Sequence, residues 1–211
     1  MELKIRVSQL HRIMSASGKL TQTNKTYIEE CAIYDLFGIR EHVSTKPMQK
    51  GIILEQEAID LVNRNEFTNY VKSDKRGDLG WLTGHPDTIT GDVVIDWKVA
   101  WHAKTFAWTQ EEMDAKVKKS GYDWQIRGYM MSFNLEKGKV CDVLLSTPES
   151  LLTAWDDLDL HQVNHIPESS RYTFSSWIDR DLDIEEEIKE KYKICNEYYK
   201  EYIELVINKN K

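Results

Sequence analysis

Gly84-His85-Pro86-Asp87-Thr88-Ile89-Thr90-Gly91-Asp92-Val93-Val94-Ile95-Asp96-Trp97-Lys98-Val99 is the stretch whose reading decides the fold. Side chains alternate faces along a strand. Val93, Ile95, Trp97 and Val99 therefore face one way, toward a core, while Val94, Asp96 and Lys98 face the other. Charges within an apolar strand must be paired or must bind something, because an uncompensated buried charge is costly. With Thr90-Gly91 as a two-residue turn, Ile89 pairs with Asp92 and Asp87 falls opposite Val94. Asp87 then shares the face of Asp96, one diagonal step away. Two carboxylates and one ammonium converge on one spot. Oxygen donors without His or Cys favour Mg²⁺ or Mn²⁺ over zinc, and the Trp97 carbonyl is available to complete a metal shell. An Asp…Asp-x-Lys string is common by itself in a chain with 35 acidic residues. A surface ion pair between Asp96 and Lys98 on an edge strand reads the same way.

Two helical patterns bear on that spot. Met48 to Arg64 reads as a helix in which Ile52, Glu55, Ile59 and Val62 recur at spacings of 3, 4 and 3. That places Glu55 on the apolar stripe, while Glu57, Asp60 and Arg64 face water. A carboxylate on a buried stripe needs a cation. Tyr122 to Phe133 reads as another helix, with Tyr122, Gln125 and Tyr129 on one stripe and hence an amide inside. The bland alternatives are a Glu that snorkels out and a Gln bonded to backbone.

Outward from these elements, Ser8 caps a short helix through Leu10, Ile13 and Met14, and a second helix covers Tyr27 to Phe37 and stops near Gly38. Short strands are expected at Asn69 to Lys72, Gly80 to Leu82, His85 to Ile89 and Val93 to Val99. A helix over Gln110 to Lys119, a strand over Lys139 to Leu145 and a helix begun by Thr147-Pro148 follow. Residues 156–170 read as loop. Asp183 to Ile207 is a long helix with Ile184, Ile188, Tyr192, Cys195, Tyr199 and Tyr202 on one stripe. The order of helices, strand meander, helices, strand and helix predicts a single α/β domain with a mixed sheet.

Composition sets the limits. The chain has 211 residues, 41% of them hydrophobic and 30% charged, which is enough to build one core. No apolar run approaches a membrane span and no signal peptide is visible, so a cytoplasmic protein is expected. Cys31, Cys141 and Cys195 lie far apart, which excludes a zinc ribbon and fits a reducing compartment. The net charge of −7 argues against coating nucleic acid by bulk electrostatics. The charge is uneven, however: +4 over residues 1–28, −6 over 29–97, +3 over 98–139 and −8 over 142–211. Two basic zones beside an acidic middle suit an anionic substrate held against metal-binding carboxylates; a solvated surface gives the same balance.

Gly51-x-x-x-Glu55, Pro86-Asp87, Asp96-x-Lys98 and Tyr122-x-x-Gln125, in this order and spacing, resemble the motifs of the lambda-type phage exonucleases of the PD-(D/E)xK nuclease superfamily. The resemblance spans about residues 8–145, leaving 147–211 as a C-terminal helical extension. It implies a central mixed β-sheet flanked by helices, and a Mg²⁺-dependent deoxyribonuclease (Mn²⁺ as a substitute) that degrades linear double-stranded DNA from its ends, 5′ to 3′, in phage-type recombination. It further implies two ions, with Asp87, Asp96 and the Trp97 carbonyl as ligands, Glu55 holding the second ion or the water, Lys98 orienting that water and Gln125 supporting the site. Ser8 and Lys104 correspond to terminal-phosphate contacts, His85 stands where the lambda enzyme has a hydroxyl residue, and Arg127 joins the DNA-binding set. The family's N-terminal phosphate-binding arginine has no counterpart, which leaves Arg6 or Arg12 for that role. A homotrimeric ring and a single-strand annealing partner also follow from the resemblance.

Lys116, Lys118 and Lys119 are candidates for the DNA path or for an exposed helix face, and Trp101 and Trp108 for base stacking or core packing. Two other readings stay open: a site- or structure-specific endonuclease on the same core, and a non-catalytic DNA- or partner-binding module.

Overall fold

The structure, a computed structural model, describes residues 1–14 and 18–209. Its centre is a mixed sheet formed by strands β4 (Thr88–Thr90), β5 (Val93–Val99), β6 (Lys137–Val143) and β7 (Tyr172–Phe174) in that order, with β8 (Ile178–Asp179) pairing the start of β6. β4 runs antiparallel to β5, and β5 parallel to β6. A small second sheet joins β1 (Ile5–Arg6), β3 (Leu82–Gly84) and β2 (Gly77–Asp78). The expected mixed sheet flanked by helices, with a long C-terminal helix, is the architecture found.

Both faces of the central sheet are covered. α2 (Lys46–Glu66) packs Leu54, Ala58, Ile59, Leu61 and Val62 against Ile95, Trp97, Cys141 and Val143. The opposite face, with Val94 and Val140, receives Ile126, Tyr129 and Met130 of α4 (Tyr122–Phe133). That core extends to α1 (Gln22–Phe37) and α6 (Leu182–Asn208), which pack on each other. Near-continuous burial is what a parallel pair covered on both sides demands.

Local chemistry sets several boundaries. Thr21 and Asn24 form a reciprocal cap at the start of α1, and Gly38 ends that helix in the left-handed region at φ 69°. α3 (Gln110–Ser120) opens with the same kind of cap between Thr109 and Glu112. α6 ties down the N-terminus: the Asn196 side chain accepts from Leu3 N (2.9 Å) and the Tyr192 hydroxyl donates to Leu3 O (3.1 Å). The tyrosine stripe of the acidic helix thus braces two neighbours, the segment before β1 through Tyr192 and α1 through the Tyr199 hydroxyl, which donates to Asp35 at 2.6 Å.

The expected elements need six corrections. The β4–β5 turn is Gly91-Asp92, with Gly91 at φ 58°, so Ile89 pairs with Val94 and Thr88 with Ile95. Asp87 consequently lies at the level of Asp96 rather than Val94. Asn69 to Lys72 is not a strand. Ser8 does not cap a helix; it lies within a 3-10 segment, Val7–Arg12, that Arg6 precedes in extended conformation. Thr147-Pro148 begins only a 3-10 turn, Glu149–Leu151, and the presumed loop 156–170 contains α5 (Leu158–His161) and a 3-10 turn, Glu168–Ser170. Finally, β7 and β8 lie within the stretch read as a helical extension.

Candidate active site

The site grows from the β4–β5 hairpin. Asp96, on β5, is 1% exposed. Its Oδ1 accepts from the Gln125 amide at 2.8 Å, and its Oδ2 meets the Lys98 ammonium at 2.7 Å. Gln125 is presented by α4, and the same amide nitrogen reaches the Tyr129 hydroxyl at 3.3 Å. That hydroxyl in turn donates to the His85 carbonyl at 2.7 Å. Lys98 lies over the Tyr122 ring, 4.6 Å from its centroid. Asp87 enters just before β4, and its Oδ2 accepts from Trp97 N at 2.8 Å. Thr88 fixes the approach: its buried hydroxyl donates to Val71 O and accepts from the Trp97 indole, both at 3.0 Å.

Electrostatics mark the spot as short of positive charge. Burial, and next the charge of Asp96, push the Asp87 carboxyl up to about 8, while Lys98 pulls the other way. Burial works against the Lys98 ammonium, but Asp96 and then Asp87 hold it well above the usual lysine range. Burial and Asp96 raise the Tyr129 phenol in the same manner.

Glu55 is half-buried on α2, and its Oε1 contacts the ammonium of Lys72 at 2.7 Å. Its charge is felt at Asp87. The buried stripe of α2 is only partly the one expected: Ile59 and Val62 face the sheet, but Ile52 is 76% exposed, and Leu54, Ala58 and Leu61 complete the stripe. Glu55 therefore sits at the edge of the stripe. Among the described residues, no three His, Cys, Asp or Glu side chains are gathered into a ready-made metal cluster. The donor set nonetheless suits a hard cation. Asp96 is a buried carboxylate and Asp87 a half-buried one that feels its charge, and the outer oxygens of Asp96 and Glu55 are buried atoms that meet only lysine ammonium groups.

A pocket of about 390 Å³ adjoins the hairpin, lined by Arg6, Ser8, Arg76, Thr83, His85 and Tyr129. Close packing makes this wall: a Cβ on Gly84 would come within 2.8 Å of Val7 and 2.9 Å of Tyr129. Ser8 and His85 are thus brought together with two guanidinium groups. Arg12 is not among them, because it pairs with both carboxylate oxygens of Glu30 (2.8 and 3.0 Å) and stacks on Tyr27. Lys104 lines a different pocket of about 380 Å³ with Trp108 and Lys116. Lys116 is already bound, by Asp142 at 2.6 Å and Thr105 O at 2.8 Å, whereas Lys118 and Lys119 are exposed. Arg127 is half-buried beside Asp123 and lines neither pocket. Trp101 packs edge-on to His161, and Trp108 is 46% exposed.

Sequence reasoning missed Lys50, Lys72 and Arg76. Lys50 is fully buried; Lys72 and Arg76 lie in irregular chain where no period singles them out.

The solved structures give this geometry a family. A phage-related exonuclease from Haemophilus somnus 129PT superposes with a TM-score of 0.91 at 31% sequence identity, over 98% of this chain and 97% of that one. The chain belongs to the lambda-type phage exonuclease family. The alkaline exonuclease LHK-Exo of Laribacter hongkongensis shares the exonuclease fold at 18% identity and a TM-score of 0.67, over 98% of this chain and 92% of its own. The same enzyme, solved in complex with dAMP, matches with a TM-score of 0.67 at 19% identity. No protein-family model matches the sequence, and neither does any curated protein. In this exonuclease chain no helix among the described residues is long and apolar enough to cross a membrane.

Proposed function

We propose that this chain is a divalent-metal-dependent exonuclease that hydrolyses phosphodiester bonds at the ends of linear duplex DNA, 5′ to 3′. The observation that carries the reading is the convergence of Asp87, Asp96, Lys98 and Gln125 at one buried spot in a member of an exonuclease family. Asp87, Asp96 and the Trp97 carbonyl are the proposed ligands of a Mg²⁺ or Mn²⁺ ion, and Glu55 of a second. Such an ion, when bound, supplies Lewis acidity toward the phosphodiester and toward the water that attacks it. Lys98 orients that water and offsets the charge that develops on the phosphoryl oxygens. Gln125 holds Asp96 in one rotamer, so the carboxylate does not have to be ordered at the moment of reaction.

The pocket of Arg6, Ser8, Arg76 and His85 suits a terminal phosphate, since guanidinium groups and a hydroxyl are the donors phosphate prefers. It opens in the basic N-terminal zone, beside the carboxylates. Lys104 and Trp108 are proposed contacts for DNA beyond the cut. The proposal extends to a homotrimer around DNA and to a single-strand annealing partner, which molar mass by light scattering and co-purification with such a partner would test.

End-labelled linear duplex DNA, with and without 5′ phosphate, is the deciding substrate. Nucleotide release in Mg²⁺, none in EDTA and a preference for the phosphorylated end are expected. Cleavage of a covalently closed circle would instead support the endonuclease reading. If Asp87→Ala protein still degrades the linear duplex, the assignment fails.

A further inference from the structure

Lys50 is buried completely, yet no carboxylate among the described residues forms an ion pair with it; the charge of Asp142 is felt without a direct contact. Its ammonium donates to three backbone carbonyls: Ala100 at 2.8 Å, Trp101 at 3.0 Å and Leu145 at 2.7 Å. An ammonium has three N–H groups, and here each finds one oxygen. The acceptors lie just past the ends of β5 and β6, where parallel strands stop pairing and their carbonyls are left over. Burying a lysine head is expensive, and an apolar residue in the first turns of α2 would fill the space without that cost. Nothing about α2 as a helix requires the charge; a cation near a helix N-terminus is disfavoured.

What the arrangement does is connect two parts of the candidate site. Lys50 lies five residues before Glu55 on α2, and Ala100 lies two residues after Lys98 on β5. Glu55 approaches from one element and Lys98 from another. One bonded route between them runs down α2 to the Lys50 ammonium and across to Ala100; a second runs through Lys72, Ser73 and Asp87 to Trp97 N, and its first link is an exposed ion pair. Glu55 itself is only half-buried and is held by an exposed lysine, Lys72, so its own contacts fix it weakly.

We propose that Lys50 is a positioning residue: it sets the separation between Glu55 and the Lys98 end of β5, and so tunes divalent-ion affinity at the Glu55 side of the site. This rests on the metal-dependent reading above.

The test is calorimetric titration of Mn²⁺ into the full chain. Lys50→Gln keeps two donors but is too short to span all three carbonyls. It weakens Mn²⁺ binding by about tenfold, the scale of losing an outer support to a ligand, with an unchanged far-UV circular dichroism spectrum. Lys50→Arg, which retains charge and donors, recovers most of the affinity. Glu55→Gln weakens binding by itself, and Lys50→Gln combined with Glu55→Gln is no weaker than Glu55→Gln alone, because one effect runs through the other. Unchanged affinity in Lys50→Gln overturns the proposal, as do additive losses in the double variant. Failure of both Lys50→Gln and Lys50→Arg to fold also overturns it and leaves Lys50 a stability residue. A wild-type chain that neither binds Mn²⁺ nor cuts DNA would remove the metal-dependent reading itself, an outcome distinct from normal wild-type binding that Lys50→Gln leaves intact.

Discussion

Asp96 and Asp142 stand on neighbouring strands and face the same side of the sheet, yet they have different surroundings. Both are buried and both meet a lysine, Lys98 at 2.7 Å and Lys116 at 2.6 Å. Asp142 Oδ2 also accepts from Ala107 N at 3.0 Å, which fastens the loop after β5 to β6. That carboxylate is bonded to one cation, itself anchored on Thr105 O, and also feels the charge of buried Lys50. Burial raises the Asp142 carboxyl and Lys116 draws it back. Around Asp96 the balance is different. A second carboxylate, Asp87, shares its spot and is pushed up to about 8, and the charge of a third, Glu55, is felt there. A paired carboxylate holds a fold together; three carboxylates beside two lysines, Lys98 and Lys72, leave a surplus of negative charge that suits the proposed cation. Pattern alone does not separate the two, since each is an aspartate in an apolar strand.

Breaking the surplus site has the largest expected effect. Asp87→Ala and Lys98→Ala lower the rate of cleavage by on the order of a thousandfold, the scale of losing a principal charge-stabilising group. Thermal unfolding in EDTA shows no loss of fold, whereas equal losses of activity and stability would place these residues with Asp142.

The converse change is Asp142→Ala. It leaves Lys116 without its partner and Ala107 N without an acceptor. Because Lys116 can turn to water, the cost is about 2–3 kcal/mol, below the range for a fully buried pair. Urea unfolding measures it, and Mn²⁺ affinity per folded molecule stays as in wild type.

The pH dependence of the metal-free chain sharpens the contrast further. The Asp87 carboxyl is pushed up to about 8 in the folded state, against an ordinary 3.8. Between those values the folded state keeps a proton that the unfolded state has released. Stability in EDTA therefore falls as pH rises through this window and levels off above it. Melting temperatures across the window read the slope, which Asp87→Asn removes and which saturating Mg²⁺ suppresses. A flat profile would mean that burial and the Asp96 charge do not hold a proton on Asp87.

The smallest effect is expected from Gln125→Met, which keeps the packing volume and frees Asp96 Oδ1. About a tenfold loss of Mg²⁺ affinity follows, read from the metal dependence of cleavage.

Much of this site was legible because regular elements expose their logic. Asp96 and Lys98 stand two apart on a strand whose other face is apolar, and Gln125 interrupts a tyrosine stripe on a helix. The hairpin register was misread by two residues because Thr90-Gly91 and Gly91-Asp92 are both acceptable turns. An even slip leaves every side chain on its own face, so the carboxylates still met. Elsewhere the signal was too short or too distant. β1, β2 and β8 contain two residues each and cannot show a period. Lys50 is explained only by carbonyls 50, 51 and 95 residues away. Arg6 and Arg76 become neighbours only when β1 and β2 flank β3.

Tyr129 touches both halves of the machinery. It lines the pocket of Arg6, Ser8 and Arg76, and its hydroxyl joins Gln125 to the His85 carbonyl. The group that would grip a strand's terminus and the group that would sever it are therefore mounted on a common pivot. On the proposed function such a mount would act as a ruler, the distance from a held end to the point of scission being set by the placement of a single phenol.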